Sequence, residues 1–355
     1  MKRNINKILL AGLALVATAT SLTSCKNGNQ EFPDYEGGTT VYFAYQQPVR
    51  TIVLGDDEYD LTLDHAHMCK ILATFGGSYN GTNGSVQVAV DPTLVQNLTF
   101  DDGTPVKAMP ESYYDLETTS WNFDGTMNGG TLVNLNDAFF ADPASVKNTY
   151  VIPLVITSQT GFGKILTGEL KEGASPVRTD ESQWDVQPKD YVLYCVKYQN
   201  KYTGYWLTHG TSSIDNIEKA QPRQIETTSM TSCVYHATWT THDYWQYKRD
   251  DKGQKTSETE KVSKTYDFDL VLTFDGSDNC TISYAGANVG SGSWTDDGAK
   301  KSWGNKDRDL MELNYQLNAI DTDELGNVIS ANVQEKLVWQ RSGVTIEEFK
   351  SVYNK

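Results

Sequence analysis

The sequence predicts an all-β chain, an N-terminal β-sandwich followed by a C-terminal β-barrel or second sandwich. Three observations predict it. Short runs rich in Val, Thr, Tyr and Ile are separated by clusters of Pro, Gly, Asn and Asp. No long stretch carries the 3.6-residue apolar period of an amphipathic helix. The runs recur at the short spacing of sandwiches and barrels.

Taken in order, the strand candidates are TTVYFAY (39–45), SVQVAVD (85–91), TYVIPLVIT (149–157), YVLYCVKY (191–198), YDFDLVLTF (266–274), CTISYA (280–285) and EKLVWQRS (335–342). Short helical turns are expected near 61–72, 111–116 and 136–140. The stretch LKEGASPVRTDESQWDVQPKD is polar, carries two prolines and separates two β-rich halves. The expected division is a signal peptide at 1–24, a tether at 25–38, a sandwich at 39–170, a linker at 171–189 and a second β domain at 190–355.

The N-terminus has its own signature. Lys2, Arg3 and Lys7 precede a mostly apolar run from Ile8 to Ala19. That run is too short to span a bilayer, and with its basic flank it reads as a secretory signal. It ends in Leu22-Thr23-Ser24-Cys25, which resembles the bacterial lipobox. Cys25 would then carry the acyl chains and become the first residue of the mature chain. Several acyl chains hold a protein on a membrane far better than one. The polar residues after Cys25, including Asn27, Gly28 and Asn29, suit a spacer. Glu31, Asp34 and Glu36 loosely resemble an acidic surface-export signal. The expected location is the outer membrane, at the cell surface.

Charge excludes some partners. The chain carries a net charge of −16, and loss of the three basic signal residues moves it to −19. Nucleic acid and anionic lipid both call for clustered Lys and Arg, so neither is an expected partner. Four cysteines follow Cys25, at 69, 195, 233 and 280, far apart and without a CxxC pair. Buried single thiols are the better reading, with a disulfide left open.

Both halves resemble a known family. VYFAYQQPVRTIVLG (41–55), GGSYNGTNGSVQVAVDPTLV (76–95), MPESYYDL (109–116) and NTYVIPLVITS (148–158) are similar to an N-terminal domain of unknown function common in Bacteroides lipoproteins. The same domain type precedes some family-18 glycoside hydrolase modules. GSGSW (290–294), SWGNKDRD (302–309) and LNYQL (313–317) resemble its β-barrel-like partner domain. The resemblance implies an Ig-like sandwich followed by a lipocalin-like barrel, on a surface lipoprotein encoded with a Sus-type glycan-uptake system. A hydrolase module would follow residue 170 and be far longer than the second half. That points to binding without cleavage.

The residues agree on the missing chemistry. The chain has no HExxH, no GxSxG, no phosphate-loop lysine motif and no GxGxxG opening a helix. His65 and His67 form an HxH pair without a supporting ligand cluster, so ordinary packing is the better reading. Asp56-Asp57 and Asp296-Asp297 read as solvated turn acids, because glycoside hydrolysis needs two carboxyls facing each other across a cleft. Asp321 to Gly326 begins like a calcium loop, but Leu325 and Asn332 stand at ligand positions five and twelve, so a hairpin turn is expected. No cofactor, no metal site and no catalytic residue is assigned.

Aromatic residues remain. The chain has 20 Tyr, 8 Trp and 11 Phe. A Trp or Tyr ring stacks on the flat C–H face of a sugar at low side-chain entropy cost, while amides and charged groups meet the hydroxyls. The densest cluster is CVYHATWTTHDYWQYKRDDKGQKTSETEK (233–261). Tyr235, Trp239, Trp245 and Tyr247 share parity, so on a continuous strand they line one face. The candidate glycan site is Trp239, Tyr244, Trp245 and Tyr247, joined by Trp303, Asn305 and Arg308 of the polar loop KKSWGNKDRD. Trp239 reads equally well as core. Trp121 is a weaker candidate. Trp206, after Gly204 in YTGYWLTHG, and Trp339 are expected in the core. The expectation that follows is a non-catalytic, lipid-anchored glycan binder that serves an outer-membrane transporter. The alternatives are an assembly subunit of that transporter, or a carbohydrate-active enzyme with an unrecognised site.

Overall fold

The computed structural model describes residues 33–213 and 215–355, without the side chains of 215–220. Cys25, the signal peptide and most of the tether lie outside the described residues. Among those described, no helix is long and apolar enough to cross a membrane. The α-helices among the described residues are Thr62–His65 and Asp137–Ala141, with a 3-10 turn at Glu111–Tyr113. The first is shorter than expected. MCKILATFG (68–76) alternates buried and exposed positions and forms a strand instead.

The first domain is a sandwich of two sheets. One has the spatial order Lys164–Ile165, Thr40–Tyr42, Met68–Gly76, Asn128–Leu135, Tyr114–Leu116. The other runs Glu347–Glu348, Pro48–Val53, Tyr191–Gln199, Tyr150–Thr160, Ser85–Val90, Ser120–Asn122. Val41, Ile71 and Val133 of the first sheet pack on Ile52, Ile152 and Val196 of the second, with Trp121 between them. Trp121, the weaker candidate, is therefore core. The second sheet is covered on its other face too, by Leu94, Leu98, Phe100 and Phe349. That explains the unbroken apolar run Val151–Ile156, which is buried at every position.

Two expected boundaries are corrected. Tyr191–Gln199 was expected to open the second domain, yet it lies at the centre of the first. It pairs antiparallel with Tyr150–Thr160 and parallel with Pro48–Val53. The chain also returns after the second domain: Glu347–Glu348 pairs with Pro48–Val49, and Ser351–Tyr353 with Leu98–Phe100. The second domain is thus an insertion between two strands of the first. The polar stretch 171–189 is a folded part of the sandwich rather than a linker. Glu169–Leu170 pairs with Trp184–Val186, Trp184 is buried with its Nε1 on the Val177 carbonyl at 2.7 Å, and Arg178 grips Asp190 at 2.9 Å. A loop tied down by its own side chains has the same polar composition as a free linker, which is why the two look alike in sequence.

The second domain is a closed barrel of eight antiparallel strands in an up-and-down order: Gly204–Ser212, Asp215–Ser229, Ser232–Arg249, Lys255–Phe274, Asn279–Tyr284, Ala287–Ala299, Arg308–Thr322 and Val328–Arg341. Closure pairs the last strand with the first, Trp206 opposite Trp339, and so removes the open edges that a sheet must otherwise protect. The expected choice between barrel and sandwich resolves to the barrel. Alternate residues fill its interior: Trp206, Tyr235, Leu270, Ile282, Met311, Leu313 and Val333 are all at most 2% exposed. One ladder is incomplete. Asp215–Ser229 pairs with Ser232–Arg249 only from Ile225 onward, and the Arg223 guanidinium reaches across above that point to the Thr238 carbonyl at 2.5 Å.

The barrel has two distinct ends. The strand starts and turns around residues 204, 230, 276, 303 and 341 face the sandwich. Asn200 ties this end down, donating to the carbonyls of Ser229 and Ser232. Lys306 meets Glu58 at 3.3 Å, and Ser342 hydrogen-bonds Asp57. The turns around 213, 252, 285 and 325 form the opposite end.

Candidate functional site

Trp239 is core, not surface. It is 5% exposed and its Nε1 donates to the Tyr315 hydroxyl at 2.9 Å inside the barrel. Tyr235 is fully buried beside it. Trp206 and Trp339, expected in the core, are buried there.

The shared parity of Trp239, Trp245 and Tyr247 does not place them on one face. The pairing register shifts between Thr241, opposite Lys264, and Tyr244, opposite Val262. Two residues, His242 and Asp243, face the single Ser263. Such a bulge inserts one extra residue and reverses the alternation beyond it. Directly opposed residues share a face, and faces alternate along the partner strand. Tyr244, opposite Val262, therefore stays on the face of Tyr266 and Trp239. Trp245, opposite Lys261, and Tyr247, opposite Thr259, turn to the other face.

All three aromatics beyond the bulge are half-buried, and each lies against a lysine. Lys264 Nζ is 4.3 Å from the Tyr244 ring centre, Lys261 is 5.2 Å from Trp245, and Lys255 is 5.3 Å from Tyr247. Glu324 pins this arm to the neighbouring hairpin: it accepts the Tyr247 amide at 2.9 Å and pairs with Arg249 at 2.7 Å. The turn that carries Glu324 is the expected hairpin turn. Asp323 accepts the amides of Leu325 and Asn327 and closes it.

Trp303 lies at the other end of the barrel, so the expected single site divides in two. Thr322, against which Tyr244 rests, and Arg308 close opposite ends of one strand. Fourteen residues of tilted strand separate them by on the order of 30 Å. Trp303 is 57% exposed, the most exposed tryptophan among the described residues. Arg308 backs its ring at 5.0 Å, and that guanidinium is itself fixed. Its Nε donates to the Trp303 carbonyl at 2.9 Å, and Nη1 to the carbonyls of Trp339 and Gln340 at 3.3 Å. The result is a largely exposed indole with a fixed guanidinium against its ring. Asn305, exposed and in the left-handed region at φ 57°, turns the loop beside it.

The fold also gathers acids that the sequence kept apart. Asp56, Asp296 and Asp309 bring carboxylate oxygens within 4.8 Å of one another. Asp309 is buried and accepts the Asp297 amide at 3.1 Å. Burial, then the charges of Asp56, Asp296 and Asp297, push its carboxyl up to about 7. Burial, then the charges of Asp296, Asp297 and Asp57, raise Asp56 as well, against the pull of His65. Asp56 and Asp296 are thus not merely separate solvated turn acids. Hard oxygen donors of this kind are those that hold Ca2+ or Mg2+. No residue spacing signals the group, because its members come from the sandwich and from two barrel strands.

The remaining sequence candidates have ordinary roles. His65 sits on the Gly55 carbonyl at 3.0 Å, and His67 packs on Phe140 with ring centres 4.2 Å apart. His65 ends the short helix Thr62–His65 and His67 lies just beyond it, so the two do not share a strand face. Cys69, Cys195, Cys233 and Cys280 are all free and buried, and burial pushes each thiol up to about 12.

A β-sandwich carrying an inserted eight-stranded barrel defines a two-domain all-β protein, and the comparisons follow that division. A family model described as an N-terminal domain matches residues 35–163, and the Domain of unknown function (DUF5627) matches residues 201–343. A Bacteroides ovatus protein of unknown function is 31% identical, with a TM-score of 0.70 over 91% of this chain and 100% of its own. This chain belongs to the family of that protein. A multidomain Bacteroides ovatus protein including DUF1735 is 9% identical with a TM-score of 0.34, over 82% of this chain and 89% of its own. A structure from Bacteroides ovatus ATCC 8483, described as a candidate carbohydrate-binding protein, is 14% identical with a TM-score of 0.25, over 87% of this chain and 97% of its own. No curated protein matches the chain.

Proposed function

We propose that this protein is a non-catalytic, lipid-anchored glycan binder of the outer membrane, holding oligo- or polysaccharide for a Sus-type transporter. One observation carries the reading: the exposed Trp303 indole, backed by the fixed Arg308 guanidinium. A pre-positioned ring loses little freedom on stacking against a sugar, so more of the contact appears as affinity. The two half-buried arm residues Trp245 and Tyr247 are subsidiary contacts on this reading, and Trp239 is none.

Affinity electrophoresis against a polysaccharide panel tests it. Trp303→Ala should weaken binding by about 1–3 kcal/mol, roughly five- to a hundredfold, the usual span for truncating an interface aromatic. Its melting temperature should barely move, since an exposed ring contributes little to the core. Unchanged retardation of Trp303→Ala would remove the platform from the site. Release of reducing sugar from a bound polysaccharide would replace binding by hydrolysis.

The anchor has its own test. Cys25→Ala should move the protein from the membrane fraction to the soluble one, because no other residue offers a thiol at the processing site. A variant that still fractionates with membranes as an acylated species refutes the lipobox.

A further inference from the structure

The outer face of the barrel carries a second feature, on the four adjacent strands Gly204–Ser212, Val328–Arg341, Arg308–Thr322 and Ala287–Ala299. One row of residues crosses all four in direct register: Thr211 opposite Gln334, Gln334 opposite Asn314, and Asn314 opposite Ser291. At ordinary strand spacing the row is roughly 14 Å long. The next row along repeats the chemistry, with Gln316 opposite Asn332. Thr211, Gln334, Asn314 and Ser291 are exposed, and none of their side chains has a hydrogen-bond partner among the described residues.

Shape and charge set this face apart. Two adjoining depressions of about 510 and 590 Å³ lie on it and share Thr211, Asn314 and Gln334. The chain as a whole carries −16, and the long hairpin on the far side of the barrel is laced by ion pairs, Lys248–Glu258 and Lys261–Asp243. The amide rows carry no charge, and among the described side chains the nearest charges, Lys336 and Glu312, neutralise each other at 2.7 Å on their border.

We propose that this face is a binding site for a neutral, hydroxyl-rich chain, an uncharged oligosaccharide laid across the four strands. The inference rests on the reading of the protein as a glycan binder, and it adds the class of glycan and a second site. Carboxamides both donate and accept, which matches sugar hydroxyls, whereas charged side chains do only one. A protein partner would call for aromatic or apolar anchors, which the rows lack. An acidic polymer would call for Lys or Arg. In a strongly acidic protein, an uncharged face avoids repulsion without offering attraction, so selectivity falls to hydrogen-bond geometry.

The test is affinity electrophoresis of the full chain in gels containing laminarin, starch, mannan, heparin or polygalacturonate. The wild type should be retarded by at least one neutral polymer and by neither acidic one. The Asn314→Ala/Gln334→Ala double variant should lose at least tenfold in affinity for that polymer with an unchanged melting temperature. Equal retardation of the double variant overturns this site, and the Trp303 reading then stands or falls by Trp303→Ala. Retardation by the acidic polymers alone overturns the neutral class. No retardation of the wild type by any of the five overturns both readings. A wild-type dimer in sedimentation that the double variant makes monomeric reassigns the face to a second copy of the chain.

Discussion

Trp206→Ala should cost about 3–5 kcal/mol of stability, the range for truncating a buried large aromatic to alanine. Trp206 is fully buried at the seam where the barrel closes, opposite Trp339, and its Nε1 reaches the Tyr202 carbonyl at 3.2 Å. Truncation opens a cavity and strips the one partner that fixes the Tyr202 carbonyl there. Collapse cannot refill the space, because the backbone is already in contact beside it. Gly204 sits at φ 137°, and a Cβ there would lie 2.5 Å from the Arg341 carbonyl oxygen and 3.1 Å from Trp339 Nε1. Urea denaturation followed by near-UV circular dichroism measures the loss. A shift below 1 kcal/mol would mean that the seam is held elsewhere. The contrast with Trp303→Ala is the sharper reading: one tryptophan should govern stability and leave glycan binding per folded molecule intact, the other the reverse.

How far the sequence discloses this molecule depends on the distance over which each feature is encoded. Strands were legible because their code is local. The alternation in SVQVAV or CTISYA repeats every two residues, and the unbroken run Val151–Ile156 reports burial on both faces. Trp206 was legible as core from its place, just after Gly204 near the start of the second β-rich half, as in lipocalin-like barrels. The bulge at Thr241–Tyr244 was not, since nothing in TTHDYW announces which residue will go unpaired, and one such residue exchanges the faces of Trp245 and Tyr247. The domain boundary failed differently. Tyr191–Gln199 belongs to the sandwich because of partners at Pro48–Val53 and Tyr150–Thr160, and Glu347–Tyr353 because of partners at the far N-terminal side. Polarity reveals a surface segment but not its partner. The Asp56–Asp296–Asp309 group and the amide rows are likewise products of register, invisible until the ladders are known.

Glu335→Ala should be as damaging as Trp206→Ala, about 3–5 kcal/mol, for an electrostatic rather than a steric reason. Glu335 is 3% exposed at the centre of the barrel. Its Oε2 accepts from the Thr208 hydroxyl at 2.7 Å and the Tyr235 hydroxyl at 2.9 Å, and its Oε1 from the Tyr315 hydroxyl at 3.0 Å. Removing the carboxyl leaves three buried hydroxyls without their acceptor. Removing the hydroxyls along with it should cost much less, since the penalty lies in the orphaned partners. The Thr208→Val/Tyr235→Phe/Tyr315→Phe/Glu335→Met variant should therefore recover most of what Glu335→Ala loses. Burial raises the Glu335 pKa above its ordinary value, against the opposing pull of the three hydroxyls and Arg223. A carboxyl so raised contributes stability that is full below the unfolded value, about 4.3, and is lost as pH climbs through the folded one. Glu335→Gln resembles the protonated acid and does not titrate. Wild type should therefore lose stability relative to Glu335→Gln as pH rises from about 4 toward 8 in a series of urea titrations. A wild type that gains on Glu335→Gln over that range would mean that Arg223 holds the ionised form, and that the barrel is stabilised by a charge rather than burdened by one.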